Sequence, residues 1–239
     1  MINDSNTFDR LVTEQIAYYR ARAPEYDEWF LRQGRYDRGS EANGVWFQEV
    51  EEIVEALKQF GPSGQILELA AGTGLWTQRL VPDAKSITVV DAAPEVLAIN
   101  RERVGSSSVR YVEADLFAWR PDRRYDVVFF GFWLSHVPPD RFEDFWTLVG
   151  DCVSPGGRFF FVDSRFNPES TARDQRLESP NDRTAHRRLN DGREYEIVKI
   201  FYQPEQLAQQ LSELGWRTNL RTTASHFIYG WGTKTSSSR

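Results

Sequence analysis

Short apolar runs recur along the middle of the chain, at Gln65–Leu69, Ser86–Val90, Val109–Glu113, Tyr125–Phe130 and Gly157–Asp163. Stretches of helical spacing separate or follow them, at about 75–81, 94–103, 140–153 and 204–214. Strands that are apolar on both faces and alternate with helices form a parallel sheet covered on both sides. Near the C-terminal side, Glu194–Tyr202 is another extended run. The runs near Trp216–Thr222 and Ser225–Trp231 lie close enough for an antiparallel hairpin at the sheet edge. This pattern predicts an α/β fold, a Rossmann-like three-layer sandwich around a mostly parallel seven-stranded sheet with an antiparallel last strand.

The first part of the chain reads differently. Phe8, Leu11, Val12, Ile16 and Tyr19 fall at spacings of three and four and predict a helix, which Pro24 ends or kinks. From Glu25 to Gly44 the pattern is irregular, with Tyr, Trp and Arg mixed among Gly. A second helix is expected over Val45–Phe60, its stripe made by Val45, Val50, Ile53, Val54 and Leu57 and its end marked by Gly61-Pro62-Ser63-Gly64. Asn167–Asp191 is rich in charge and poor in apolar residues. It reads as an insertion that is mobile without ligand and closes over substrate. Asn190-Asp191-Gly192 is a turn signal.

Composition narrows the function. At 239 residues the chain suits one large domain, and its one cysteine, Cys152, excludes an internal disulfide or a multi-cysteine zinc site. The formal net charge of −6 argues against a nucleic-acid partner, which would need clustered Lys and Arg. The opening MINDSNTFDR lacks a basic and apolar leader, and no apolar run approaches the roughly 20 residues that span a bilayer. A cytoplasmic protein with no membrane partner is expected. Oligomeric state is not legible, and a homodimer stays open.

The most informative segment is Ile66-Leu67-Glu68-Leu69-Ala70-Ala71-Gly72-Thr73-Gly74, a strand followed by a glycine-rich turn and a helix start. Glycines at 72 and 74 let the backbone pass close to a ligand, and the helix N-terminus behind them offers free N–H groups. A dinucleotide site would want a third glycine at position 77, where Thr77 stands. Glu68 in the strand would repel a pyrophosphate but favour a ligand bearing an ammonium group, as S-adenosylmethionine (SAM) does.

The string ELAAGTG resembles the first motif of the class I SAM-dependent methyltransferases, with Ala70 in place of the first glycine. Asp91, ending the second strand, and Glu113-Ala114-Asp115-Leu116, after the third, are similar to the motifs that follow in that family. So are Tyr125–Phe130 and Cys152-Val153-Ser154-Pro155-Gly156-Gly157, and the resemblance runs from about Gly61 to Val162. It implies SAM as cofactor, held by Glu68, Ala70, Gly72, Gly74, Asp91, Ala92, Asp115, Leu116 and Phe130. Asp91 would grip ribose hydroxyls, Ala92 would pack beside the adenine and Asp115 would meet its amino group. Tyr18-Tyr19-Arg20, with Pro24 and Tyr26-Asp27, is similar to the family's N-terminal helical lid. Its tyrosines, Tyr18 and Tyr26 among them, would cover the SAM methionine and the substrate mouth, against the alternative that each packs on the sheet. The division that follows is a lid segment at 1–44, a SAM-binding core at 45–165 and an insertion or substrate lid at 166–193. The C-terminal part of the core sheet occupies 194–233, and a disordered tail 234–239.

Methyl transfer from a sulfonium needs alignment and exclusion of water, and an oxygen acceptor gains from a general base. His136, in the loop after the fourth strand, is the first candidate for that base or for substrate positioning, against the alternative that it caps the next helix. Trp133 in the same loop and Asp163 at the end of the fifth strand are candidates for substrate binding. His186 falls in a basic segment of the insertion, and His226 reads as structural. Arg173, Arg187 and Arg188 could recognise an acidic acceptor, although charge runs are usually solvated faces. Phe130-Gly131-Phe132-Trp133 departs from the pattern of amino-methylating nucleic-acid enzymes, which favours a small-molecule substrate. No dense carboxylate cluster suggests a metal. The expected activity is methylation of a small metabolite, on oxygen (hydroxyl, sugar or carboxylate) before nitrogen or carbon. An NAD-binding oxidoreductase is the distant alternative.

Overall fold

In the computed structural model, which describes residues 4–175 and 179–235, the chain opens with three helices, α1 (Asp4–Arg22), α2 (Tyr26–Phe30) and α3 (Ser40–Phe60). Five strands follow: β1 (Gly64–Leu69), β2 (Ala84–Asp91), β3 (Val109–Glu113), β4 (Tyr125–Gly131) and β5 (Val153–Ser164). Between them lie α4 (Thr77–Leu80), α5 (Pro94–Val104) and α6 (Phe142–Cys152). The chain continues through β6 (Thr184–Arg188), β7 (Glu194–Val198), α7 (Pro204–Glu213), β8 (Trp216–Thr222) and β9 (Phe227–Lys234).

Seven strands make one sheet in the order β3-β2-β1-β4-β5-β9-β8. The pairs among β1 to β5 are all parallel, and β9 runs antiparallel to both neighbours. The Rossmann-like sandwich with a reversed last strand is therefore present as expected. Strand order reverses between β1 and β4, which opens a crevice at their carboxyl ends.

The parity of β5 shows why the sequence folds this way. Phe159 and Phe161 enter the layer of α6 and α7, where Trp146 and Trp216 meet Phe159 edge-on at 4.9 and 5.1 Å. Phe160 and Val162 face the opposite layer, packed with Trp46, Ile53 and Leu57 of α3. A strand buried on both faces carries no polar alternation. Each such aromatic removes enough apolar surface from water to contribute about 2–3 kcal/mol. Helix α3 ends at Gly61, whose left-handed φ of 64° lets its N–H reach the carbonyls of Leu57 and Lys58.

Four features differ from the sequence reading. Residues 25–44 contain α2, the short turn Gly34–Tyr36 and the beginning of α3, so the boundary drawn at 44/45 cuts a continuous helix. The helix expected at 75–81 is only Thr77–Leu80, because the chain stays in the glycine-rich turn until Trp76. Glu194–Val198 is not part of the core sheet: β7 pairs with β6 in a separate hairpin around the predicted Asn190–Gly192 turn. Ala185, Leu189 and Ile197 of that hairpin pack on Tyr18 of α1, so hairpin and helix form one body. Finally, β9 extends to Lys234, one residue into the stretch expected to be disordered, while 236–239 lie outside the described residues. Among the described residues no helix is long and apolar enough to cross a membrane.

Candidate functional site

Two clefts meet at the crevice. The outer one is lined from the sheet side by Ala70, Gly72, Asp91, Ala92, Asp115 and Leu116, and is roofed by Val12, Gln15, Ile16 and Tyr19 of α1. At its inner end stand Tyr26, Phe132, Trp133 and His136. Tyr19, Tyr26, Phe132 and His136 also line the second, inner cleft, which continues to Arg22, Arg165, Arg187 and Lys199.

The glycine-rich turn makes the floor. Gly72 has φ 52°, and a Cβ there would lie 3.2 Å from the Tyr26 hydroxyl, so a side chain would close the gap between turn and α2. Gly74 has φ 89°, and a Cβ would fall 2.8 Å from the Asn100 side chain of α5; it lines neither cleft and serves helix packing. Ala70 adopts φ 52°, a left-handed conformation that costs an alanine about 1 kcal/mol. Asp91 faces the turn, with Oδ2 accepting from the Gly72 N–H (2.9 Å) and Oδ1 from the Ala93 N–H (2.9 Å). Asp115 fixes its loop by accepting from the Phe117 N–H at 3.0 Å.

Glu68 lies under this floor, 1% exposed, beside Ala70, Thr73, Tyr26 and Gly131. One of its oxygens is buried with no hydrogen-bond partner, and burial pushes its pKa up to about 8. Glu68 lines neither of the two clefts but a small pocket that shares Tyr26, Ala70, Gly131 and Phe132 with the outer one, and a buried carboxyl with a bare oxygen fits a cationic group.

At the junction of the clefts, His136 sits in the turn Leu134–His136 after β4. Its Nδ1 is 2.7 Å from the Val198 carbonyl, which can only accept, so Nδ1 carries the proton. Nε2 therefore accepts from the Tyr19 hydroxyl, 2.9 Å away. Burial, with Lys199, Arg187 and Arg22 nearby, holds the pKa well below the usual histidine range, so the imidazole is neutral at neutral pH. Phe132 has φ 57°, a strained left-handed turn that brings its ring back over the junction against Trp29 at 4.8 Å.

Asp163 is 1% exposed and lines neither cleft. It accepts from the Ser135 N–H (2.8 Å) and the Ser164 N–H (2.7 Å), and lies 3.7 Å from Lys199 Nζ. Its place is behind the wall, holding the His136 loop and Lys199, rather than against a substrate. Lys199 donates to Ser135 Oγ at 2.8 Å, and burial pushes its pKa down to about 8.

Two further expectations are displaced. Phe130 points into the sheet core, stacked on Phe161 at 5.7 Å, and lines neither cleft. Tyr18 faces the hairpin and accepts from Arg22 Nη1 at 2.9 Å, so it supports the inner cleft from outside. His186 is exposed on β6, opposite Glu196. His226 is buried between Trp46 and Asn167, in the structural place expected of it. Arg22, Phe132, Arg165 and Lys199 are the site residues to which the sequence pattern assigned no role. Tyr19, expected as part of the lid segment, lies on one stripe of α1 with Val12, Gln15 and Ile16.

A strand-order reversal, a glycine-rich turn after β1, an acid at the end of β2 and a cleft roofed by a leading helix fit a SAM-dependent methyltransferase. Comparison with known proteins agrees. Residues 66–157 match the family model described as a methyltransferase domain. An uncharacterized methyltransferase of Bacillus cytotoxicus is 22% identical over 210 residues, covering 85% of this chain and 93% of the relative. The solved DhpI-SAM-HEP complex is 36% identical, covers 93% of this chain and 97% of its own, and superposes with a TM-score of 0.78. The DhpI-SAH complex is likewise 36% identical, with coverage of 94% and 97% and a TM-score of 0.75. The chain belongs to the class I SAM-dependent methyltransferases, and SAM is its cofactor.

Proposed function

We propose that the protein transfers the methyl group of SAM to an oxygen atom of a small molecule seated in the inner cleft. The observation that carries this reading is the junction itself. A neutral histidine, tied through Tyr19, stands where the cofactor cleft opens into a second cleft whose described wall holds three arginines and a lysine but no carboxylate. An amine acceptor is an ammonium ion in water, and such a wall repels it; an oxygen acceptor meets no such barrier. The DhpI complex with both SAM and HEP supports a fold that seats a second ligand beside the cofactor.

In this reading Glu68 and the glycine-rich turn hold the amino-acid end of the cofactor, Asp91 the ribose, and Ala92, Asp115 and Leu116 the adenine. Bound there, SAM supplies a methyl group already activated by its sulfonium. What remains for the chain is alignment and exclusion of water. Phe132, Trp133 and Tyr26 wall off the junction, while α1 and the β6–β7 hairpin close it from above as the lid. His136 takes the acceptor proton through the Tyr19 hydroxyl where the acceptor arrives protonated.

The test is a methyl-transfer screen with SAM over small alcohols, phenols and hydroxy acids, with products located by mass spectrometry and NMR. An O-methyl product is expected, together with loss of SAM binding in Asp91→Ala and a fall of about 100-fold or more in kcat for His136→Asn. Products methylated only on nitrogen would overturn the oxygen assignment. Wild-type protein that does not bind SAM would overturn the assignment of the outer cleft.

A further inference from the structure

Arg22 and Arg32 are the two buried arginines among the described residues, and of these Arg22 lines the inner cleft. It is only 9% exposed, at the end of α1. Its guanidinium is caged by the rings of Tyr18, Tyr26 and Tyr36, at 5.5, 5.3 and 5.9 Å from the ring centres. Nη1 reaches the Tyr18 hydroxyl, and Nε is buried with no partner. Among the described residues it forms no ion pair, and no Asp or Glu lines the cleft it faces.

This is an expensive arrangement. Ring faces attract a guanidinium but offer no oxygen to its N–H groups. A buried cation without a counter-charge is among the least favourable groups a fold can hold. The chain has an excess of acids, 35 Asp and Glu against 29 Lys and Arg, so a counter-ion was not hard to supply. The neighbours raise the cost further. Arg165 spends its Nη1 on the carbonyls of Thr223 and Ala224, Arg187 also faces the cleft, and Lys199 keeps Asp163 behind the wall.

We propose that the methyl acceptor carries an anionic oxyacid group, a carboxylate or a phosphate-like group, and that Arg22 anchors it as the specificity-determining residue. The proposal rests on the methyltransferase reading above and names its substrate class. A guanidinium suits either anion because its N–H groups form a planar fork matched to two oxygens. Position along α1 adds the orientation. Tyr19 lies one turn before Arg22, so an acid group docked on Arg22 leaves the rest of a small acceptor under Tyr19 and His136, at the junction with the cofactor cleft.

The experiment uses the full chain saturated with SAH, titrated with inorganic phosphate, acetate and acetamide, and followed by tryptophan fluorescence, since Trp29 lines the cleft. Phosphate or acetate is expected to bind saturably and acetamide not to bind. Preference between the two anions identifies the acid group. Arg22→Gln should weaken the anion by about tenfold to a hundredfold, with SAH affinity kept and Arg22→Lys restoring part of the loss. Should Arg22→Gln fail to fold, Arg187→Gln provides the reading from a half-buried position, with a smaller loss expected. Equal binding of acetamide, no anion binding while SAH is bound, or anion binding indifferent to these substitutions would overturn the proposal. Failure of SAH itself to bind would sink the methyltransferase reading and this inference with it.

Discussion

Glu68 offers a quantitative handle on the cofactor site. With its pKa at about 8, the carboxyl is mostly protonated in the free protein at neutral pH, and one oxygen lacks any partner. In the proposed site Glu68 holds the cofactor's ammonium group as a carboxylate, so binding there must expel the proton. Below pH 7.5 the ammonium stays largely charged, since α-amino groups titrate near 8. In that window affinity should rise with pH by nearly tenfold per unit. Between pH 6 and 7.5 the ionised fraction grows enough to tighten SAH binding about twentyfold, or roughly 1.8 kcal/mol. Isothermal titration in two buffers of different ionisation enthalpy reads both the affinity and the proton, and about one proton should be released per SAH bound at pH 6.5. In Glu68→Gln the slope should flatten. Burial also raises the pKa of Asp91, so the variant is needed to isolate Glu68. An affinity that does not change across the window, or a slope that survives in Glu68→Gln, would refute the reasoning.

The same group makes the free protein pH-sensitive: a folded pKa of about 8 against an unfolded 4.5 stabilises the fold fully below pH 4.5, and the contribution is lost as pH rises through 8. Differential scanning calorimetry should therefore show Tm falling from pH 6 to pH 8.5, and falling less in Glu68→Gln. Asp163→Asn removes the charge beside Lys199 and should cost about 3 kcal/mol, roughly 6–12 °C in Tm, with Lys199→Met added to it recovering most of the loss. Ala70→Gly relieves a left-handed alanine worth about 1 kcal/mol, and after the extra chain entropy of glycine is subtracted it should stabilise by no more than about 0.6 kcal/mol in urea titrations, whereas Ala70→Val should destabilise.

The core of the fold was legible because its signals are local. FFFVD in β5 is apolar on both faces, and a glycine-rich turn following a strand declares itself by residue type alone. The β6–β7 hairpin was not legible, because Ala185 and Leu189 face inward between His186, Arg187 and Arg188, and the charge hides the alternation. Helix α3 begins early for a similar reason: Ser40 to Gly44 carry no apolar stripe, and Gly39 with φ 88° marks the start only through its backbone. At the site, the errors are of direction. Phe130 and Phe132 share a parity that would point both rings the same way, but the left-handed turn at Phe132 reverses the second. Tyr18 and Tyr19 are adjacent in sequence and about 100° apart around the helix, which sends one to the hairpin and the other to the junction. Lys199 reaches the cleft only because the β6–β7 hairpin it follows packs on α1, a fact no local pattern contains.

Strand β9 has a consequence for biosynthesis. It lies between β5 and β8, bonded to both, yet it is made after every other strand among the described residues. On the ribosome, β5 must therefore wait with one edge unpaired, its aromatic residues on both faces incompletely covered, until residues 227–234 have emerged. Such an edge is a template for pairing with another chain. The growing polypeptide is most exposed to aggregation in that interval, and substitutions that slow the docking of β9 should reduce soluble yield more than the stability of the finished protein.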